Sequence, residues 1–146
     1  MNNGAAPAPE GSSASNFALL ILRLAGALPV LYHGSGILVG AFGGPGPRGF
    51  ADYLQLPVIY GYLVGLAQVA GGLAMLLGVF ARIGSVCVII VMIGAIYRVH
   101  LPRGFGIGEG GVEFALTILL VALGLLVTGP GSYSLGRMLP GPLEKL

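Results

Sequence analysis

Charge is what this chain most conspicuously lacks. Only 8% of its 146 residues are Asp, Glu, Lys or Arg, roughly a third of the share an ordinary soluble domain carries. No helix in it can therefore present the charged face that a water-exposed bundle requires. Tryptophan is absent, and cysteine is reduced to Cys87. A lone thiol inside an apolar run excludes an internal disulfide, and no His or Cys stands near it to make a zinc-type ligand set. Cys87 reads as a small buried apolar residue. The basic residues are scattered singly and the net charge is +2, which leaves no patch for nucleic acid. No Ser–His–Asp or Cys–His arrangement is visible. The histidines and glutamates, at unrelated spacings, compose no metal site.

What the chain has instead is apolar and small: 55% hydrophobic residues and 27 Gly. Small residues are what membrane helices use to approach one another closely. Residues 1–15, small and Pro-rich, read as a disordered N-terminal tail without the basic start of a signal peptide. Residues 16–137 read as an all-α, integral membrane four-helix bundle, with spans at about 17–39, 58–80, 83–99 and 111–128. About 20 residues cross the hydrocarbon core. Residues 138–146 form a C-terminal tail. Ser15 or Asn16 is expected to cap the first span, and Ala81-Arg82 to turn a tight hairpin between the second and third. Gly129-Pro130-Gly131 stops the fourth. Two longer loops share one side of the membrane: residues 40–57, with a short amphipathic piece around Phe50 to Leu56, and residues 100–110. Lys and Arg barely separate the two sides. Arg23 tips the orientation toward N-in, C-in.

The polar residues inside these runs carry the functional question. Glu113 opens an apolar run, and a carboxylate at the centre of a bilayer costs roughly 2.5–3.5 kcal/mol on insertion scales. It needs a partner, a proton or a wet cavity. At 100° per residue, Gly61, Gly65, Gln68 and Gly72 fall on one stripe within about 60°. Arg23, Ala27, Val30 and Gly34 do the same in the first span, with His33 about 80° to one side. Gly84, Val88, Val91, Ala95 and Arg98 align in the third, and Glu113, Thr117, Leu120 and Gly124 in the fourth. These stripes are expected to face the bundle interior. By depth, His33, Glu113, Arg98 and His100 lie toward the long-loop side and Gln68 near mid-membrane. The expected cluster is His33, Gln68, Arg98 and Glu113, with Tyr97 or Tyr62 close by. Arg23, roughly 10 Å in from the other face, belongs to a different layer, snorkelling or pairing with a carbonyl at the C-terminal end of the second or fourth span. Arg98, His100 and Arg103 read as interfacial anchors.

The run Gly104-Phe105-Gly106-Ile107-Gly108-Glu109-Gly110-Gly111 precedes a helix, as a phosphate loop does. The dinucleotide fingerprint needs a preceding strand, and here a membrane helix precedes it, so a flexible or partner-docking loop is the better reading.

Leu22-Arg23-Leu24, Tyr32-His33-Gly34, the segment Gln68-Val69-Ala70-Gly71-Gly72-Leu73-Ala74-Met75-Leu76-Leu77-Gly78 and Arg82 together resemble the DoxX family of small four-helix membrane proteins. Glu113, Gly129-Pro130-Gly131 and Ser134-Leu135 match its later pattern, so the resemblance spans roughly residues 17–137. This chain departs where the family usually has Glu, at Gln68, and where it usually has Asp, at Gly136. The first departure removes a titratable group from the middle of the bundle. The resemblance implies a bacterial-type inner-membrane protein tied to redox complexes and quinone. Three roles follow. One is an accessory subunit, non-catalytic by itself, of a larger membrane redox or energy-transducing complex, with other membrane subunits as partners. The second is a quinone-binding redox subunit of a quinone-linked oxidoreductase using the His/Glu/Gln cluster. The third is a small oligomeric transporter or proton-conducting protein with Glu113 as carrier. For His33 and Glu113 a purely structural hydrogen bond stands beside the quinone or proton role.

Overall fold

A computed structural model describes residues 12–139, and every described element is helical. α1 runs Ser13–Val39, α2 Gly46–Leu54, α3 Ile59–Leu77, α4 Ala81–Ala95 and α5 Glu113–Thr128. α4 continues through a π-helical turn, Ile96–His100, and a short 3-10 turn, Leu101–Arg103. α1, α3 and the continuous Ala81–Arg103 segment are long and apolar enough to cross a membrane. The protein is a helical membrane bundle.

Three starts and stops differ from the sequence expectation, each for a local reason. α1 begins at Ser13 because the Ser12 hydroxyl accepts from the Ser15 amide at 3.2 Å. Asn16 does not cap; its Oδ1 accepts from the Ser132 amide at 2.8 Å and ties the segment after α5 to α1. Most of the expected N-terminal and C-terminal tails, residues 1–11 and 140–146, lies outside the described residues. The hairpin turn is not Ala81-Arg82, which form the first turn of α4. It is Gly78 to Phe80, with Gly78 at φ 70° and Phe80 at φ 51°. The fourth apolar helix, α5, holds 16 residues, about 24 Å at 1.5 Å per residue, because the backbone before it is folded into a loop. The Val112 amide donates to Gly104 O at 3.0 Å and the Glu113 amide to Phe105 O at 2.9 Å.

α1 packs on α3, α3 on α4 and α4 on α5, and α5 returns to α1 along a thinner seam. The buried core is Ala27, Val30, Met75, Val88, Met92, Ala115, Ile118, Ala122 and Leu125. Glycine decides how closely the helices approach. A methyl group on Gly84 would sit 2.6 Å from Ala74 Cβ and 2.8 Å from Gly71 O, so α3 and α4 touch backbone to backbone there. The stripes expected on the first two spans are buried throughout: Arg23, Ala27, Val30 and Gly34 on α1, and Gly61, Gly65, Gln68 and Gly72 on α3. The α5 stripe is corrected. Glu113, Thr117, Leu120 and Gly124 are exposed, and α5 turns Ala115, Ile118, Ala122 and Leu125 inward. On α4, Gly84 and Val88 are buried, whereas Arg98 at the end of that stripe is exposed.

Candidate functional site

The polar residues separate into two layers, as their depths suggest. At the hairpin end, Arg23 is buried to 2% exposure with its guanidinium spread over four carbonyls. Its Nε donates to Met75 O at 2.9 Å and its Nη2 to Leu76 O. Its Nη1 reaches Pro130 O, at 3.3 Å, and Tyr133 O. The last carbonyls of any helix have no partner within it, and α3 ends at Leu77. A cation there also meets the negative end of the helix dipole. Arg23 therefore closes α3 and fastens the segment after α5 to it. Arg82 does the same for α5, donating to Leu126 O at 2.7 Å.

At the loop end the helices enclose a cavity of about 690 Å³, inside the range of sites for small organic ligands. His33, Gln68, Arg98 and His100 line it together, so four of the residues singled out from the sequence do converge. The remainder of the wall is apolar and aromatic. Gln68 is 5% exposed, and its Oε1 is buried with no hydrogen-bond partner. An unsatisfied buried amide oxygen of this kind costs about 1–3 kcal/mol. Such an orphan in a native fold asks for an explanation. His33 sits edge-on to two rings, Tyr32 at 5.4 Å and Phe114 at 6.2 Å between centroids. The His100 Nδ1 lies 2.7 Å from Gly110 O. A carbonyl only accepts, so Nδ1 carries the proton, leaving Nε2 of the neutral ring as an acceptor. Arg98 is held loosely, with one contact at 3.5 Å to Leu54 O.

Two expected members are elsewhere. Glu113 is exposed, and its Oε2 accepts from the Ile107 amide at 2.9 Å. It pins the glycine loop over the start of α5, where the helix dipole favours a carboxylate. That position explains how a carboxylate is tolerated, and it takes the carrier group of the transport reading out of the cavity. Tyr97 is 71% exposed and faces outward, as does Tyr62 at 47%. The tyrosines that do line the cavity are Tyr53 and Tyr60, joined by Phe50 and Leu54 from α2. The amphipathic piece around Phe50 was a signal for these. Tyr60 had none beyond its place at the head of an apolar run. The π-helical turn supplies Arg98, Val99 and His100 to the wall, a departure from regular helix often found at functional sites. Among the described residues no group of three or more His, Cys, Asp or Glu converges on a common point.

A compact helical membrane protein with a central, largely apolar cavity is the class these features define. The pattern of the DoxX family matches residues 18–101, and the chain belongs to that family. It is also 29% identical over 110 residues to a Bacillus subtilis (strain 168) protein named "Putative oxidoreductase CatD", covering 75% of this chain and 78% of that one. No solved structure matches the chain.

Proposed function

We propose that this DoxX-family membrane protein is a subunit of a larger membrane redox assembly and that its cavity binds a quinone-type ring. The observation that carries the reading is the Gln68 amide oxygen, buried without a partner, on a residue that lines a cavity large enough for a substituted ring. The terminal torsion of a Gln side chain is broad and roughly two-fold, so a half-turn exchanges its oxygen and nitrogen. Gln68 can thus donate to a ring carbonyl or accept from a ring hydroxyl. His100 is oriented by Gly110 O and offers its second nitrogen. Arg98, nearly free, offers donors at the loop end. The aromatic wall of Tyr53, Tyr60 and Phe114 suits a flat ring. These residues fit the group. Bound quinone would supply reversible two-electron, two-proton chemistry at its ring oxygens.

The chain's own part is to bind, orient and desolvate. His33 and His100, the imidazoles on the wall, can exchange a proton with a ring oxygen. Gln68 cannot, because an amide does not titrate. Electrons reach the site from a partner subunit. The oxidoreductase name of the Bacillus relative supports a redox setting. Equilibrium binding of a short-chain benzoquinone to the protein in lipid nanodiscs tests the ring site. Micromolar binding to wild type is expected, and no saturable binding would overturn it. Native mass spectrometry of gently released source membranes tests the assembly. The chain is expected at fixed stoichiometry with other subunits, and a lone chain would contradict that role.

A further inference from the structure

The cavity reaches the outer surface of the bundle on one side. α3 and α4 are locked together near the hairpin, at Gly71 and Gly84. Gly94 lies ten residues further along α4, about 15 Å toward the loop end. A side chain there would meet nothing within 4 Å. Gly94 nevertheless lines the cavity, as does Ile90, which is 65% exposed on the outer surface of the bundle. Across from them on α3 stand Tyr60, 46% exposed, and Val64, both also on the cavity wall. On α4 the angular positions of Ile90 and Gly94 lie toward the side of Cys87, which approaches Gly71 of α3, and away from the face that meets α5. One continuous space therefore runs from Gln68 at its inner end to the lipid-facing surface between α3 and α4.

From this we infer that the cavity is loaded sideways from the bilayer, through a portal framed by Tyr60, Ile90 and Gly94. Its ligand is a membrane-dissolved molecule whose hydrocarbon tail lies in that portal while its polar head reaches Gln68. The inference rests on the ring-binding reading and adds the tail, the route and the solvent from which the ligand comes. Gly94 keeps the portal open because it carries no side chain, and Ile90, Val64 and the ring of Tyr60 give it the apolar surface a tail requires. A water-borne ligand would have no use for an apolar opening at this depth.

Gly94→Phe plugs the portal in space that is empty, so folding is expected to be kept, and equal thermal melting checks this. Two probes are bound to the full chain in lipid nanodiscs: a benzoquinone with a long isoprenoid tail, and the same ring with no tail. Wild type is expected to bind both, the tailed form more tightly. Each methylene buried adds a several-fold gain in affinity, so Gly94→Phe should weaken the tailed form at least about tenfold. The tailless ring should stay within about twofold, and Gly94→Leu should fall between. Gly124→Phe, on an open face of α5 away from the cavity, should change neither. Unchanged binding of the tailed form in Gly94→Phe overturns the portal, and so does parallel loss of both probes. If wild type binds the tailless ring but not the tailed one, the portal alone fails. If it binds neither, the ring site fails and the portal with it.

Discussion

Gly34 and Gln68 meet where α1 crosses α3, so closely that a methyl on Gly34 would sit 2.6 Å from Gln68 Cβ and 3.0 Å from the Val69 amide nitrogen. The absence of a side chain on one helix thus sets the depth and angle at which the other presents its amide. His33, one residue before that contact, is carried onto the same cavity wall.

Gly34→Ala is therefore expected to push α1 from α3 at the level of the amide. Overpacking of this kind typically costs about 1–3 kcal/mol. Thermal melting in detergent should fall, and short-chain quinone binding should weaken by more than the loss of folded protein explains. A variant that melts and binds like wild type would show that the crossing does not position Gln68.

Arg23→Lys tests the hairpin-end layer. Lysine keeps the charge but lacks the planar fork, so it cannot serve Met75 O, Leu76 O, Pro130 O and Tyr133 O at once. Each buried acceptor left alone costs about 1–3 kcal/mol. A sharp loss of stability is expected, together with faster proteolysis after Gly129. Because the cavity lies at the other end, the fraction that remains folded should bind ligand normally.

Glu113→Gln should be mild. The amide oxygen still accepts from the Ile107 amide, and only the charge–dipole part is lost, about 0.3–1 kcal/mol. Quinone binding and assembly should be unchanged. A Gln variant that folds normally but loses turnover in its complex would return Glu113 to a chemical role.

The interior of α1 and α3 was legible from periodicity because buried polar and small residues, Arg23, Ala27 and Gly34 on α1 and Gly61, Gly65, Gln68 and Gly72 on α3, fall on one stripe of each helix. α5 defeated the same reading. Thr117 bonds its own helix, donating to Glu113 O at 2.9 Å, and Thr128 likewise to Gly124 O at 2.8 Å. Such hydroxyls need no interior partner, so small and polar residues can lie on the lipid face while Ala115 and Ala122 form the close contact. The place of Glu113 was hidden for another reason. It depends on how residues 104–112 fold back on themselves, which no helical period encodes. Three cavity residues, His33, Gln68 and Arg98, belong to the cluster expected from depth and type, whereas Glu113 lies outside the cavity and His100, read as an interfacial anchor, joins the wall. Tyr53, Tyr60 and Phe50 were not legible, because the cavity forms only once α2 tucks beneath the loop end and α4 loosens into its π-helical turn.

In the quinone-binding reading, Gln68 keeps a buried, unsatisfied amide oxygen because a ligand completes it. Gln68→Leu measures this directly when melting temperature and short-chain benzoquinone affinity are determined on the same nanodisc preparation. Removing the orphan should leave the ligand-free protein as stable as wild type or more so, by roughly 1 kcal/mol or more, while ring affinity falls about tenfold or further. A destabilised Leu variant that still binds the ring as wild type does would make Gln68 a packing residue and contradict the account.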